Sequence, residues 1–239
     1  MIATERLLVT LCTYNECDNL AALILEIWQF APTAEILVID DNSPDGTGGV
    51  ADEWRTRDRR VHVLHRPCKM GLGTATLAGF RYAIENDYTL LINLDADFSH
   101  HPRHIPELLA LIDRVDVAIG SRYVVGGGVV GWGLWRHFMS RAINGYARTV
   151  LRLKTRDNSG SYRCYRVSRL RELKLDRFVA RGYAIQEEIL YRCRRIGCRF
   201  GETPIVFENR RHGTSKISLK EAFAAGWIIL RLGVTGVFA

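Results

Sequence analysis

Five short apolar runs alternate with amphipathic stretches through the first half of the chain. The runs lie at 7–12, 35–39, 61–64, 90–94 and 116–119. Near-continuous apolar segments such as Leu7-Leu8-Val9-Thr10-Leu11-Cys12 mark strands buried on both faces of a parallel sheet. Between the runs, 17–30, 47–57, 73–86 and 102–114 carry apolar residues at helical spacing. Strands alternating with helices predict right-handed βαβ units, and so a doubly wound α/β half over 1–120.

The pattern changes after residue 120. Gly126-Gly127-Gly128, Gly131 and Gly133 mark a loop. A helix is predicted over 136–153, a turn at Asp157-Asn158-Ser159-Gly160, a second helix over 184–195 and a strand over 202–208. The apolar tail 222–239 is interrupted by Arg231 and by Gly226, Gly233 and Gly236, and no run reaches the roughly 18 apolar residues of a spanning helix. Two readings of the tail stay open: a helix that lies on a membrane or docks on a partner, and a core helix closing the domain.

The 239 residues suit one large domain. A formal net charge of +7 favours an anionic partner, whether nucleic acid, membrane surface or phosphorylated substrate. The six cysteines form no Cys-x-x-Cys pair, and the N-terminus lacks the layout of a signal peptide. Reduced thiols in the cytosol are therefore expected.

Asp95 and Asp97 follow the apolar run 90–94. Lone carboxylates are costly to bury, so the acids belong at the open carboxyl end of a parallel strand, where α/β folds place ligands. Mg²⁺ takes one or two carboxylates and completes its shell with phosphate oxygens, which makes this a candidate metal–diphosphate site. The plainer alternative is a solvated strand end. At the first strand end, Thr13-Tyr14-Asn15-Glu16 offers Tyr14 to stack on a base and Glu16 to accept hydrogen bonds; equally, Asn15 and Glu16 suit a helix start. At the second, Asp40 and Asp41 are candidates for a nucleoside contact, whereas Asp45 belongs to a Ser-Pro-Asp-Gly turn. Gly71-Leu72-Gly73 lacks the third glycine and the position of a dinucleotide fingerprint, which argues against a nicotinamide enzyme. His100, His101 and His104 form a weak zinc candidate with no further spaced ligand set. Arg122 ends the fifth run on the same rim as the acids, and Arg210-Arg211-His212-Gly213-Thr214-Ser215-Lys216 has the composition of a loop that folds over an anion.

These motifs, with Gly120-Ser121-Arg122-Tyr123 and Gly160-Ser161-Tyr162-Arg163, stand in an order that resembles the dolichyl-phosphate (polyprenyl-phosphate) mannosyltransferases, inverting glycosyltransferases of GT-A fold. The resemblance covers nearly the whole chain. It implies a mainly parallel sheet flanked by helices, in a single domain over 1–239. Residues 1–120 would be the nucleotide-binding half, 121–221 the acceptor-side half and 222–239 the apolar tail. It further implies that Cys12, Tyr14, Glu16, Ile39 and Asp41 hold guanosine. Asp95, Ala96 and Asp97 would line the diphosphate, with Asp97, Ser99 and Asp95 around Mg²⁺ or Mn²⁺. Arg210 and Lys216 would close on the donor, joined by Arg122. Arg122, Arg136 and Ser140 would hold the acceptor phosphate, with Asp97, Arg122 and Arg136 central to transfer. The implied partners are GDP-mannose, a polyprenyl phosphate lipid, the cytoplasmic face of a membrane and a small membrane subunit. Cys12 replaces a proline of the family's first motif, and Ser99 stands where some members have Gln. The competing readings are a UDP-glucose-dependent polyprenyl-phosphate glucosyltransferase and a catalytically silent nucleotide-binding subunit. A nucleic-acid partner is disfavoured, since no aromatics interleave with a basic patch.

Overall fold

The computed structural model describes residues 5–209 and 219–235. Its main sheet has seven strands in the order β3-β2-β1-β4-β7-β5-β8. These are β1 (Leu7–Thr13), β2 (Glu35–Asp40), β3 (Val61–His65), β4 (Leu90–Asp95), β5 (Val117–Ser121), β7 (Arg163–Arg166) and β8 (Phe200–Pro204). All pairings are parallel except those of β7, which runs antiparallel between β4 and β5. A second sheet pairs β6 (Gly128–Val129) with β9 (Val206–Phe207). The architecture is the expected GT-A-like α/β fold.

Strand alternation divides the core in two. Leu7, Val9 and Leu11 of β1 pack on one face with Ile36 and Val38 of β2 and Ile92 of β4, under α1 (Cys17–Phe30), α2 (Thr47–Arg57) and α4 (Ile105–Ile112). Leu8, Leu37, Ile39 and Leu91 face the other way, onto α3 (Leu72–Glu85), α6 (Val167–Arg171) and α7 (Ile185–Arg195). Side chains two residues apart share a face, so the uninterrupted apolar runs supply both layers.

α5 (Leu134–Val150) and α8 (Leu219–Thr235) lie on the second face. In α8, Ala225, Ile229 and Leu232 are buried in the core, while Phe223, Trp227 and Val234 are exposed. The tail thus closes the domain and also presents an apolar outer face. Among the described residues, no helix is long and apolar enough to cross a membrane.

Two expectations need correction, and one strand had no counterpart in the sequence reading. The predicted strand over 202–208 is two strands in different sheets, parted at Ile205, whose N–H binds the Ser121 carbonyl. The helix over 102–114 begins as a 3₁₀ turn, Pro102–His104, before α4. β7 carried no strand expectation, because the fully buried Arg163 breaks its apolar pattern.

Arg163 explains how that strand tolerates a charge. Its Nη1 donates to the Gln186 carbonyl (2.8 Å) and Nη2 to the Asn158 carbonyl (2.7 Å), joining α7 to the segment that leads into β7. Arg163→Met should lower unfolding stability by about 3 kcal/mol, because two buried carbonyls lose a charged donor. Urea denaturation checks this; an unchanged midpoint would mean that those carbonyls find other donors.

Candidate active site

Chain order reverses direction at β1, with β2 on one side and β4 on the other, which is the switch point where open α/β sheets bind ligands. Here Cys12 stands opposite Ile39 of β2 and Asp95 of β4, so three of the expected residues form one row across the sheet. Asn15 (φ 60°) and Asn42 (φ 55°) turn the chain through the left-handed region just past β1 and β2, a conformation asparagine tolerates.

Most polar groups at these two strand ends bind one another. Asp40 accepts from the Thr13 hydroxyl (3.0 Å), the Ser43 N–H (3.0 Å) and the Ser43 hydroxyl (2.5 Å), so it is committed to its own loop and is not a free nucleoside contact. Asp45 accepts from the backbone of Cys17 and Thr47, as its turn reading implied. It therefore satisfies the start of α1, where Asn15 was a candidate cap; the Asn15 N–H instead donates to Ser43. Asp41 pairs with Arg66 Nε at 2.5 Å and accepts from the Met70 N–H. Burial pushes the Cys12 thiol up to about 12, so it is neutral. The Lys69 ammonium lies 4.2 Å from the Tyr14 ring centre, and Glu16 accepts from Asn19. Gly73 owes its place to close packing: a Cβ there would come within 2.4 Å of the Ala180 carbonyl oxygen.

The end of β4 is the most constrained segment. Phe98, 3% exposed, sits at φ 63°. A bulky residue held in the left-handed region costs on the order of 1–3 kcal/mol, and such strain concentrates at functional sites. The turn lets the buried Asp97 carboxylate accept from the Ser99 N–H (3.0 Å). Asp95 accepts from the Ser161 hydroxyl (2.7 Å), and its N–H donates to His100 Nδ1. Burial lowers the His100 pKa, and the ring packs neutral between Tyr162 and Phe207. His101 pairs with Glu26, and His104 accepts from Val206, so the three histidines do not converge.

Arg122 follows β5 and meets Asp157 in a bidentate pair, Nε–Oδ2 2.7 Å and Nη2–Oδ1 2.7 Å, with a third bond to Ser159. The rings of Tyr123, Trp132 and Phe207 surround its guanidinium. Arg136 lies 4.1 Å over Trp132, and the Ser140 hydroxyl bonds the Tyr123 hydroxyl at 2.6 Å.

A cavity of about 590 Å³ gathers Asp95, Asp97, Ser99, Arg122, Arg136 and Ser140. Its apolar lining includes Trp135, Met139, Ile143 and Tyr146 of α5 with Ala225 of α8. Cys12, Tyr14, Glu16, Ile39 and Asp41 gather beside it at the ends of β1 and β2, and Ala96 is buried in the loop between the two acids. Arg210 and Lys216 lie outside the described residues. Among the described residues no three His, Cys, Asp or Glu side chains converge on one point. Two carboxylates and a hydroxyl in one buried cavity fit a hard divalent cation that draws its remaining oxygens from a diphosphate.

Sequence reasoning missed Ser161, Asp157, Gln186 and Glu187. The last two line the same cavity from the first turn of α7. The available signal was a Gln-Glu-Glu run on positions where a helix packed against a sheet should be apolar.

Burial pushes the Asp157 carboxyl up, but the charge and hydrogen bonds of Arg122 outweigh it and hold the group below its ordinary value. A depressed folded pKa stabilises the fold above the unfolded value, about 4, and that stabilisation disappears as pH falls through the folded value. Asp157→Asn should therefore cost about 3 kcal/mol near pH 7, with the gap from the parent narrowing below about pH 4. Urea titrations of both proteins across pH test this; a gap independent of pH would contradict the ion-pair assignment.

The glycosyl transferase family 2 model matches residues 8–174. An undecaprenyl-phosphate mannosyltransferase of Micrococcus luteus is 42% identical over 213 residues, 89% of this chain and 88% of its own length. A polyprenol monophosphomannose synthase of Mycolicibacterium smegmatis is 40% identical over 235 residues, 98% of this chain and 89% of its own length. A solved glucosyl-3-phosphoglycerate synthase of Mycobacterium tuberculosis, in complex with Mn²⁺, UDP and phosphoglyceric acid, shares the fold. Its TM-score is 0.68 at 18% identity, over 98% of this chain and 78% of that one. With strands, switch point and acidic strand end all in the expected order, the chain belongs to glycosyl transferase family 2, within the polyprenyl-phosphate mannosyltransferases that both relatives represent.

Proposed function

We propose that this glycosyltransferase moves mannose from GDP-mannose to a polyprenyl phosphate, with inversion at the anomeric carbon. The observation that carries the reading is the twofold lining of one cavity: carboxylates and arginines make one part of it, and apolar side chains of α5 and α8 another. A nucleotide diphosphate suits the first surface. A phosphate attached to a hydrocarbon chain suits the junction of the two. The names of both relatives supply mannose and a polyprenyl acceptor.

In this reading the guanosine lies across the ends of β1 and β2, against Cys12, Tyr14, Glu16, Ile39 and Asp41. Asp95, Ala96 and Asp97 line the diphosphate, and Arg210 and Lys216 are further cations for the donor. Asp97, Asp95 and Ser99 would hold Mg²⁺ or Mn²⁺, which would supply positive charge to the diphosphate of the leaving GDP. Arg122, Arg136 and Ser140 hold the acceptor phosphate. An acceptor oxygen attacks the anomeric carbon as the bond to the diphosphate breaks, through an oxocarbenium-like state. A phosphate monoester has a second pKa of about 6, so it reaches the site already anionic and needs no dedicated base. The arginines reduce the repulsion between two phosphates that must come together.

The exposed Trp135, Phe138, Phe223 and Trp227 on α5 and α8 support residence on a membrane surface, where the acceptor lies. The net charge of +7 supports residence at an anionic, cytoplasmic membrane face.

The test is transfer of labelled sugar from GDP-mannose and, in parallel, from UDP-glucose into a polyprenyl phosphate, with and without Mg²⁺. Metal-dependent transfer of mannose is expected; transfer from UDP-glucose alone would replace the donor. Asp97→Ala should reduce kcat more than about 100-fold with its melting temperature retained. Near-parental activity at saturating metal would remove Asp97 from the metal site. Arg136→Ala should raise KM for polyprenyl phosphate more than for the nucleotide sugar, and equal increases would argue against its acceptor role.

A further inference from the structure

Gln186 and Glu187 are 1% and 2% exposed and line the cavity that holds Asp95, Asp97 and Arg122. Both amide atoms of Gln186 and Oε2 of Glu187 are sealed from solvent with no hydrogen-bond partner among the described residues. Glu188, the next residue, shows how this helix treats a purely structural acid. Its carboxylate accepts from the Val179 and Ala180 N–H groups and from Arg192. Each buried polar group left unmade costs about 1–3 kcal/mol, and such groups in a native fold call for an explanation. Burial also pushes the Glu187 carboxyl up to about 7.

The chemistry of the pair narrows what completes it. A phosphate would be repelled by the Glu187 carboxylate, and the cavity already offers Arg122 and Arg136 to phosphates. A divalent metal takes one or two carboxylates, which Asp95 and Asp97 supply without Glu187. A hydrocarbon chain would leave every unmade bond unmade. A neutral ligand with adjacent hydroxyls satisfies all three atoms: one hydroxyl donates to the carboxylate, and a neighbour exchanges both roles with the amide. Arg163 bonds the Gln186 carbonyl and so fixes the turn that carries both side chains.

We infer that Gln186 and Glu187 form the subsite that reads the hydroxyls of the transferred hexose. This deepens the proposed reaction and rests on it only in that the hexose arrives as a nucleotide sugar. A subsite built to bond a hydroxyl discriminates strongly, since a donor lacking the matching hydroxyl leaves the buried groups unpaired again.

Calorimetry with Mg²⁺ compares GDP with GDP-mannose on the parent, Glu187→Gln and Gln186→Ala, and initial rates compare GDP-mannose with its C2 epimer, GDP-glucose. Both variants should bind GDP within about two-fold of the parent, bind GDP-mannose at least about ten-fold more weakly, and shrink the preference between the epimers by a similar factor. Glu187→Gln is nearly isosteric and removes a buried charge, so it tests the subsite even where Gln186→Ala melts. Equal losses for GDP and GDP-mannose, an unchanged epimer preference, or a rise confined to KM for the lipid would each overturn the assignment. A parent that uses UDP-glucose instead refutes the donor reading alone; UDP against UDP-glucose then poses the same question to the same variants.

Discussion

The antiparallel entry of β7 is the constraint on which the site depends. A parallel neighbour would leave the sheet at the same rim as β4 and β5. β7 instead starts there, so the residues just before it, 157–161, are delivered to the carboxyl ends of both strands. Asp157 and Ser159 then reach Arg122 from one side, and Ser161 reaches Asp95 from the other. Arg163 is the internal fastener, linking the backbone before β7 to that of α7. Strand direction, more than any single contact, places acids, arginines and the start of α7 around one volume.

Electrostatics and strain follow from that arrangement. Two carboxylates stand at the end of β4, where Asp97 accepts from the Ser99 N–H and Asp95 from the Ser161 hydroxyl, while the nearby cation Arg122 is held by Asp157. The left-handed Phe98 between Asp97 and Ser99 fits the same picture, a backbone cost tolerated where side-chain placement matters.

Much of this was legible in the chain because burial on both faces leaves an uninterrupted apolar run. The runs at 7–12 and 90–94 became β1 and β4, and the helix over 17–30 matches α1. The strand-end acids and Arg122 were legible from chemistry, since charges at such positions need a partner. What failed did so for physical reasons. β7 is short and carries a buried arginine whose bonded carbonyls, of Asn158 and Gln186, lie outside the strand. The run 202–208 looks continuous, yet Ile205 turns inward and the chain changes sheets. Gln186 and Glu187 read as the polar start of an ordinary helix, and only the packing of α7 against the sheet reveals that they are inside.

Arg122 has one more implication. Its Nε and Nη2 are engaged by Asp157 and Ser159, and three aromatic rings pack around its guanidinium. A free arginine loses rotamer freedom whenever it meets a ligand; this one has already lost it when the chain folds. Its positive field is therefore fixed in direction before any anion arrives, and no side-chain reorganisation accompanies each binding event. Catalytic readiness and thermodynamic stability are consequently coupled at this residue: loosening the enclosure for the sake of one alters the other.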